Sequence, residues 1–152
     1  MAGIERSGKE GFSLLEVLIS LVILAVGLLA LAMFQVTAIK GNAIASRWTV
    51  ATQLSQDQLE DFRHADWTLI VSSPTAGFNT GTMQPVYTAL PGAAGATYQD
   101  NVSNVTYYTV YYVNTNINNT FKTITVWTCW QDDQSNWHNV MLSTQRARTG
   151  GV

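Results

Sequence analysis

Between Phe12 and Phe34 the chain runs for 23 residues with only three polar side chains, Ser13, Glu16 and Ser20. At 1.5 Å per residue a helix of that length reaches ~34 Å, enough to cross a hydrocarbon core of about 30 Å. No proline interrupts the run. Backbone groups in lipid must satisfy one another, so the segment is predicted to be a membrane-spanning helix. Arg6 and Lys9 precede it, and basic flanks favour a cytoplasmic N-terminus. Glu16 is the misfit. A carboxylate within an apolar span is costly and calls for a partner.

Three readings of this region compete. A secretory signal peptide requires a shorter apolar core followed by a small-residue cleavage site, whereas "QVTAIKGNAIASRW" continues in helical fashion. A plain anchor fits the length but leaves Glu16 unexplained. The third reading makes residues 1–11 the removable part, cut between Gly11 and Phe12. The new amine on Phe12 then stands four residues before Glu16.

"KEGFSLLEVLISLVILAVGLL" resembles the class III leader and N-terminal helix of type IV pilins and type II secretion pseudopilins. The shared features are a short basic leader ending in Gly11, then Phe12, then Glu16 in an apolar helix. The resemblance implies cleavage after Gly11 by a prepilin peptidase and N-methylation of Phe12. It also implies that Glu16 neutralises the Phe12 amine of a neighbouring subunit during assembly. Many major pilins carry a proline near the position of Met33, but this chain has none before Pro74. The helix melting of assembled relatives is therefore not carried over.

Helix-compatible sequence continues to about Asp66, predicting a helix over 12–66, ~80 Å long. Ile44, Trp48, Ala51, Leu54, Leu59 and Phe62 approximate one apolar stripe, with Arg47, Gln53, Gln56, Asp57, Glu60 and Arg63 opposite. Such a stripe predicts a face packed on a core. Glu60 and His64, like Gln56 and Glu60, read as surface pairs at i,i+4 spacing. "ATQLSQDQLEDFRHADW" (51–67) resembles the segment after the membrane helix in PilV-type minor pilins.

Residues 72–104 are rich in Gly, Ser, Thr, Pro, Ala and Asn, predicting a connecting loop, which the pilin resemblance makes a candidate for contacts with neighbouring subunits. Beyond it, "NVTYYTVYYVNT" (104–115), "FKTITVWTCW" (121–130) and "NWHNVMLSTQR" (136–146) read as strands. "NINN" and "QDDQSN" supply the turns. The expectation is an antiparallel meander of three strands, or four with "QPVYTAL", one face on the helix stripe. The last hairpin again resembles PilV-type proteins. The predicted fold class is α+β, of type IV pilin kind, with 12–34 as the membrane and assembly half of the helix, 35–66 as its amphipathic half and 67–152 as the head.

Little else suggests chemistry. Eight Lys and Arg against ten Asp and Glu, with no basic stripe, exclude a nucleic-acid surface. One cysteine, Cys129, excludes an intrachain disulfide and reads as a small buried hydrophobe. His64 and His138 form no triad by spacing, and no phosphate loop is present. Asp132 and Asp133 could offer oxygens to calcium, but too few for its six to eight ligands. They read as a solvated turn. The sequons at Asn101, Asn104 and Asn118 follow from Asn/Thr-rich strands. Trp127, Trp130, Trp137 and the tyrosines suit either an exposed sugar- or surface-binding platform or an aromatic sheet covering the helix and neighbouring subunits, and the second is the expectation. The chain is expected to be no enzyme and to need no cofactor or metal.

Taken together, the resemblance implies a minor type IV pilin, made in the bacterial inner membrane with a periplasmic head and then incorporated into a pilus used for adhesion or motility. Its implied partners are the prepilin peptidase, other major and minor pilins through the N-terminal helix, the inner-membrane assembly platform and, before assembly, membrane lipid. A minor pseudopilin of a type II secretion system is the alternative, and a membrane-anchored adhesin outside any filament is the second.

Overall fold

The structure is a computed structural model that describes residues 13–148. The expected leader, with Gly11 and Phe12, lies outside the described residues. The chain divides into two units, Met1–Ile44 and Ala45–Val152. One helix, α1, runs from Leu14 to His64; within the described residues this is the helix expected over 12–66.

In the first unit every described side chain is exposed. The helical run is long and apolar enough to cross a membrane. Its few hydroxyls bond to the helix itself: Ser20 Oγ donates to Glu16 O at 2.8 Å and Thr37 Oγ1 to Met33 O at 3.1 Å. These bonds leave little polarity for lipid to desolvate.

In the second unit the end of α1 packs on a sheet. Two short strands, β1 (Phe78–Asn79) and β2 (Gln84–Pro85), pair with each other. The main sheet holds β3 (Ala96–Asp100), β4 (Val105–Thr115), β5 (Phe121–Gln131) and β6 (Trp137–Ala147), antiparallel in that order. The last three are the predicted meander. The fourth strand is β3, not the expected "QPVYTAL", which supplies only β2 and a 3-10 turn at Tyr87–Ala89. Pro85 cannot donate to a ladder, which limits that segment to a short edge piece.

Alternation along β5 sorts two cores. Ile124, Val126 and Trp130 face the helix, against Ala51, Leu54, Leu59 and Phe62. Trp127 and Cys129 face away, onto Phe78 and Leu90. The 72–104 stretch is thus no plain connecting loop. Ser73, Gly77, Phe78, Leu90 and Ala93 are buried, forming a second layer over the far face of the sheet. Glycine permits that closeness. A Cβ on Gly77 would lie 2.7 Å from Ala93 O and 3.1 Å from Val110 Cγ1 of the sheet.

The helix stripe is rotated from its expected phase. Ala51 and Ser55 are fully buried and Phe62 nearly so. Arg47, expected outside, is largely covered (side chain 13% exposed) and pairs with Asp133 at 2.8 Å. Trp48, expected inside, is 43% exposed, with its ring edge against Trp130 at 5.1 Å. Ile44, also expected inside, is exposed. The buried row 51, 55, 58/59, 62 extrapolates backward to 47 rather than 48, and a long arginine stem can lie along it.

Candidate functional site

Ser13 sets the start of α1. Its Oγ accepts the Leu15 N–H at 3.3 Å, and its carbonyl accepts the N–H groups of Glu16 at 2.9 Å and Val17 at 3.2 Å. Ser13-Leu14-Leu15-Glu16 therefore has the S-x-x-E spacing of a capping box. This signal is visible in the sequence and adds a local reason for an acid at Glu16: it lies in the first turn, where the helix dipole favours negative charge. Capping does not fully account for it. The Glu16 carboxylate has no hydrogen-bond or ion-pair partner among the described residues. Ser20 and Thr37 instead donate their hydroxyls to the helix backbone.

Residues 6–32 match the prokaryotic N-terminal methylation motif. The match spans the basic leader, Phe12, Glu16 and most of the apolar run, and it supports a type IV pilin-like protein. The prepilin-type leader implies processing by prepilin peptidase and association with pilins, and the apolar helix behind it fits anchoring in the inner membrane. No curated protein and no solved structure matches the chain.

The second unit has its own polar features, and they hold the fold. The β5–β6 turn is organised by Asp132. It accepts the backbone N–H groups of Gln134 at 2.9 Å and Asn136 at 2.8 Å, and its Oδ2 lies 2.9 Å from His138 Nε2. The His138 bond, followed by these N–H groups, holds the Asp132 carboxyl well below the usual range. Asp133 is occupied by Arg47. Both acids expected at a solvated turn are therefore engaged by protein donors. Among the described residues no group of three or more His, Cys, Asp or Glu is placed to hold a metal. At the β3–β4 turn, the Ser103 hydroxyl and Val102 N–H similarly lower Asp100.

Two cations grip the end of α1. Lys122 Nζ donates to Trp67 O at 2.7 Å and Ile70 O at 2.8 Å, and sits 4.8 Å from the centre of the Trp67 ring. Burial, aided by Arg146, lowers the Lys122 pKa. Arg146, its register partner across β5–β6, donates from Nη1 to Phe62 O and Ala65 O. These are terminal carbonyls that the helix itself leaves unpaired. Nothing in the residue pattern distinguishes these two cations from surface charges, so the expectation from sequence missed them.

The aromatic residues divide. Trp127 and Trp130 are 1% exposed, so neither can belong to an exposed platform. Only Trp137 is half-buried, stacked on Tyr87 at 5.3 Å. Cys129 is buried as expected, and burial pushes its thiol up to about 12. The Tyr107 hydroxyl is buried without a hydrogen-bond partner, and burial raises its pKa. Glu60 pairs with Arg63 and His64, each at 3.0 Å, on an exposed face. Such pairs contribute about 0.3–0.5 kcal/mol.

Proposed function

We propose that this chain is a minor pilin, cleaved between Gly11 and Phe12, N-methylated on Phe12 and incorporated at low copy into a type IV pilus. Its work is assembly rather than catalysis. The observation that carries the reading is the methylation-motif match over residues 6–32, with Glu16 inside the apolar helix it covers. The carboxylate meets no partner among the described residues of its own chain, as a role in pairing with a neighbouring subunit's Phe12 amine requires.

The PilV-type assignment rests on the residue patterns of 51–67 and of the last hairpin. The two segments that carry that resemblance touch: Ala51 packs with Trp130, and Ser55 Oγ lies 2.7 Å from Thr128 Oγ1. Before assembly the chain is held in the inner membrane with its head in the periplasm. A minor pseudopilin of a type II secretion system shares the same motif and is the second reading. An anchored adhesin outside any filament does not need the Gly11–Phe12 bond cut.

Deleting the gene separates the readings. Loss of surface pili or pilus-dependent adhesion is the expected result, and loss of an exported enzyme with pili intact favours the pseudopilin. Glu16→Ala should insert and be cleaved normally yet enter sheared filaments about tenfold less; wild-type incorporation removes the amine-pairing role. Gly11→Val should stop cleavage, read as an unprocessed N-terminus by mass spectrometry.

A further inference from the structure

The main sheet parts at one end. The β4–β5 ladder stops at Tyr107 and Trp130, whereas β4 stays paired with β3 to Val105 and β5 with β6 to Gln131. Between the two hairpins that separate there lies a cavity of about 360 Å³. Strand alternation places Thr106, Tyr108 and Gln131 on the face of the sheet turned away from the helix, opposite to Tyr107 and Trp130. Asn104 from the β3–β4 turn and Asp133 from the β5–β6 turn line its outer end.

These five side chains are positioned by the fold yet keep polar atoms to spare. Asn104 Oδ1 accepts Gln99 Nε2 at 3.1 Å, Gln131 Nε2 donates to Ser135 O at 3.2 Å, and Asp133 Oδ1 takes Arg47 at 2.8 Å. That leaves the Asn104 Nδ2 donor, the Gln131 Oε1 acceptor and Asp133 Oδ2 without a partner among the described residues. The Thr106 and Tyr108 hydroxyls likewise bond to no described residue. The Tyr108 ring is steadied from behind by Trp137, at 6.0 Å between centroids, and Trp137 in turn stacks on Tyr87.

From these observations we infer that the cavity is a binding site for a neutral saccharide unit. A sugar ring presents an apolar C–H face and a rim of hydroxyls, each both donor and acceptor. The Tyr108 ring suits the face, and the uncommitted amide, carboxylate and hydroxyl atoms around it suit the rim. The volume falls within the ~300–1,000 Å³ of small-molecule sites. Other ligand classes fit less well. No lysine or arginine lines the cavity, while Asp132 and Asp133 do, which disfavours an anion. Val105 is its one aliphatic residue, so an apolar ligand would strand the polar wall. Both oxygens of Asp132 are occupied by Gln134, Asn136 and His138, leaving Asp133 Oδ2 as the free carboxylate oxygen of the lining, against calcium's six to eight ligands. The inference stands on the head alone and does not require the filament reading.

The test uses the full-length chain in phosphocholine micelles and saturation-transfer NMR. The probes are neutral mono- to tetrasaccharides built from glucose, galactose, mannose and N-acetylhexosamines. Saturable binding of at least one is expected, with the strongest transfer on ring C–H protons. Tyr108→Leu removes the stacking face and should weaken that binding about tenfold or more. Asn104→Gly removes the amide donor while glycine suits the backbone φ of 54° at this turn, and it should weaken binding about tenfold. This exposed position keeps the test valid if the Tyr108 variant folds poorly. Tyr98→Leu alters an exposed aromatic on the other face of the sheet and should leave binding unchanged. Absence of binding to every probe, binding that survives both cavity substitutions, equal loss in the Tyr98 variant, or saturable binding of calcium alone at Asn104 and Asp133 each overturns the inference.

Discussion

Residues 14–44 and residues 45–64 belong to the same helix, yet they use apolar side chains in opposite ways. In the first stretch leucines, valines and isoleucines are exposed on every side. In the second, Ala51, Ser55 and Phe62 are hidden and polar residues fill the remainder. An apolar residue is therefore not by itself a core residue. What distinguishes the stretches is angular distribution: apolar all round suits lipid or neighbouring helices, whereas a one-sided stripe suits a domain's own sheet.

That contrast can be broken from either end. The largest effect is expected in the first stretch. Leu24→Arg places a charge near the middle of the span at a cost of about 3 kcal/mol, roughly a hundredfold in insertion, read as loss from the membrane fraction. The same substitution should leave head folding untouched.

Next comes the head's core. Trp130→Ala removes a buried ring that packs on Ala51 and Tyr107 and should cost about 3–5 kcal/mol, seen as a lower Tm with membrane insertion unchanged. Ser55→Ala sharpens the comparison on the helix itself. It deprives Thr128 of a 2.7 Å hydrogen bond in a buried interface and should cost about 1–3 kcal/mol. Ser20→Ala, which alters only a bond within the exposed stretch, should leave the Tm of the head where it is.

A smaller effect is expected from acid. Asp132 has its folded pKa lowered, so its contribution is present above the unfolded value near 3.9 and is lost as pH falls below it. Melting temperature should decline over that range, and less steeply in Asp132→Asn. A flat wild-type profile would show that the turn adds nothing to stability. The smallest effect is chemical. With its pKa pushed up to about 12, Cys129 should resist alkylation at pH 8 in the folded head and react on unfolding.

Much of this architecture was legible in the residues. The apolar run, the amphipathic continuation and the three long strands are written in periodicity, and alternation along 121–130 correctly separates Ile124, Val126 and Thr128 from Trp127 and Cys129. What periodicity could not set was phase and depth. Arg47 and Trp48 are neighbours straddling the edge of the stripe, and hydropathy favours the wrong one because it ignores the reach of an arginine stem toward Asp133. The 72–104 stretch looked like loop because its glycines and prolines are turn formers. Gly77 is instead small so that a second layer can approach the sheet, and Gly95 leaves room for the Tyr111 ring on the helix-facing side. The strand β3 was hidden among them, since five residues in "ATYQD" carry little pattern of their own. At the candidate site, the methylation motif over residues 6–32 could be read because it depends on order along the chain. The bond from the Ser73 hydroxyl to Tyr111 O and the grip of Lys122 and Arg146 depend on contacts across 38 to 84 positions, and no local pattern carries them.

That grip has a mechanical consequence. Lys122 and Arg146 are register partners on adjacent strands, and together they hold four carbonyls at and just beyond the end of α1. A pull along the last turns of this helix is thus passed to β5 and β6 through charge-assisted bonds as well as through greasy contacts that can slide. The head should yield as one piece under tension, with the helix end and the two strands giving way together. Lys122→Met paired with Arg146→Met should let the helix end peel away first.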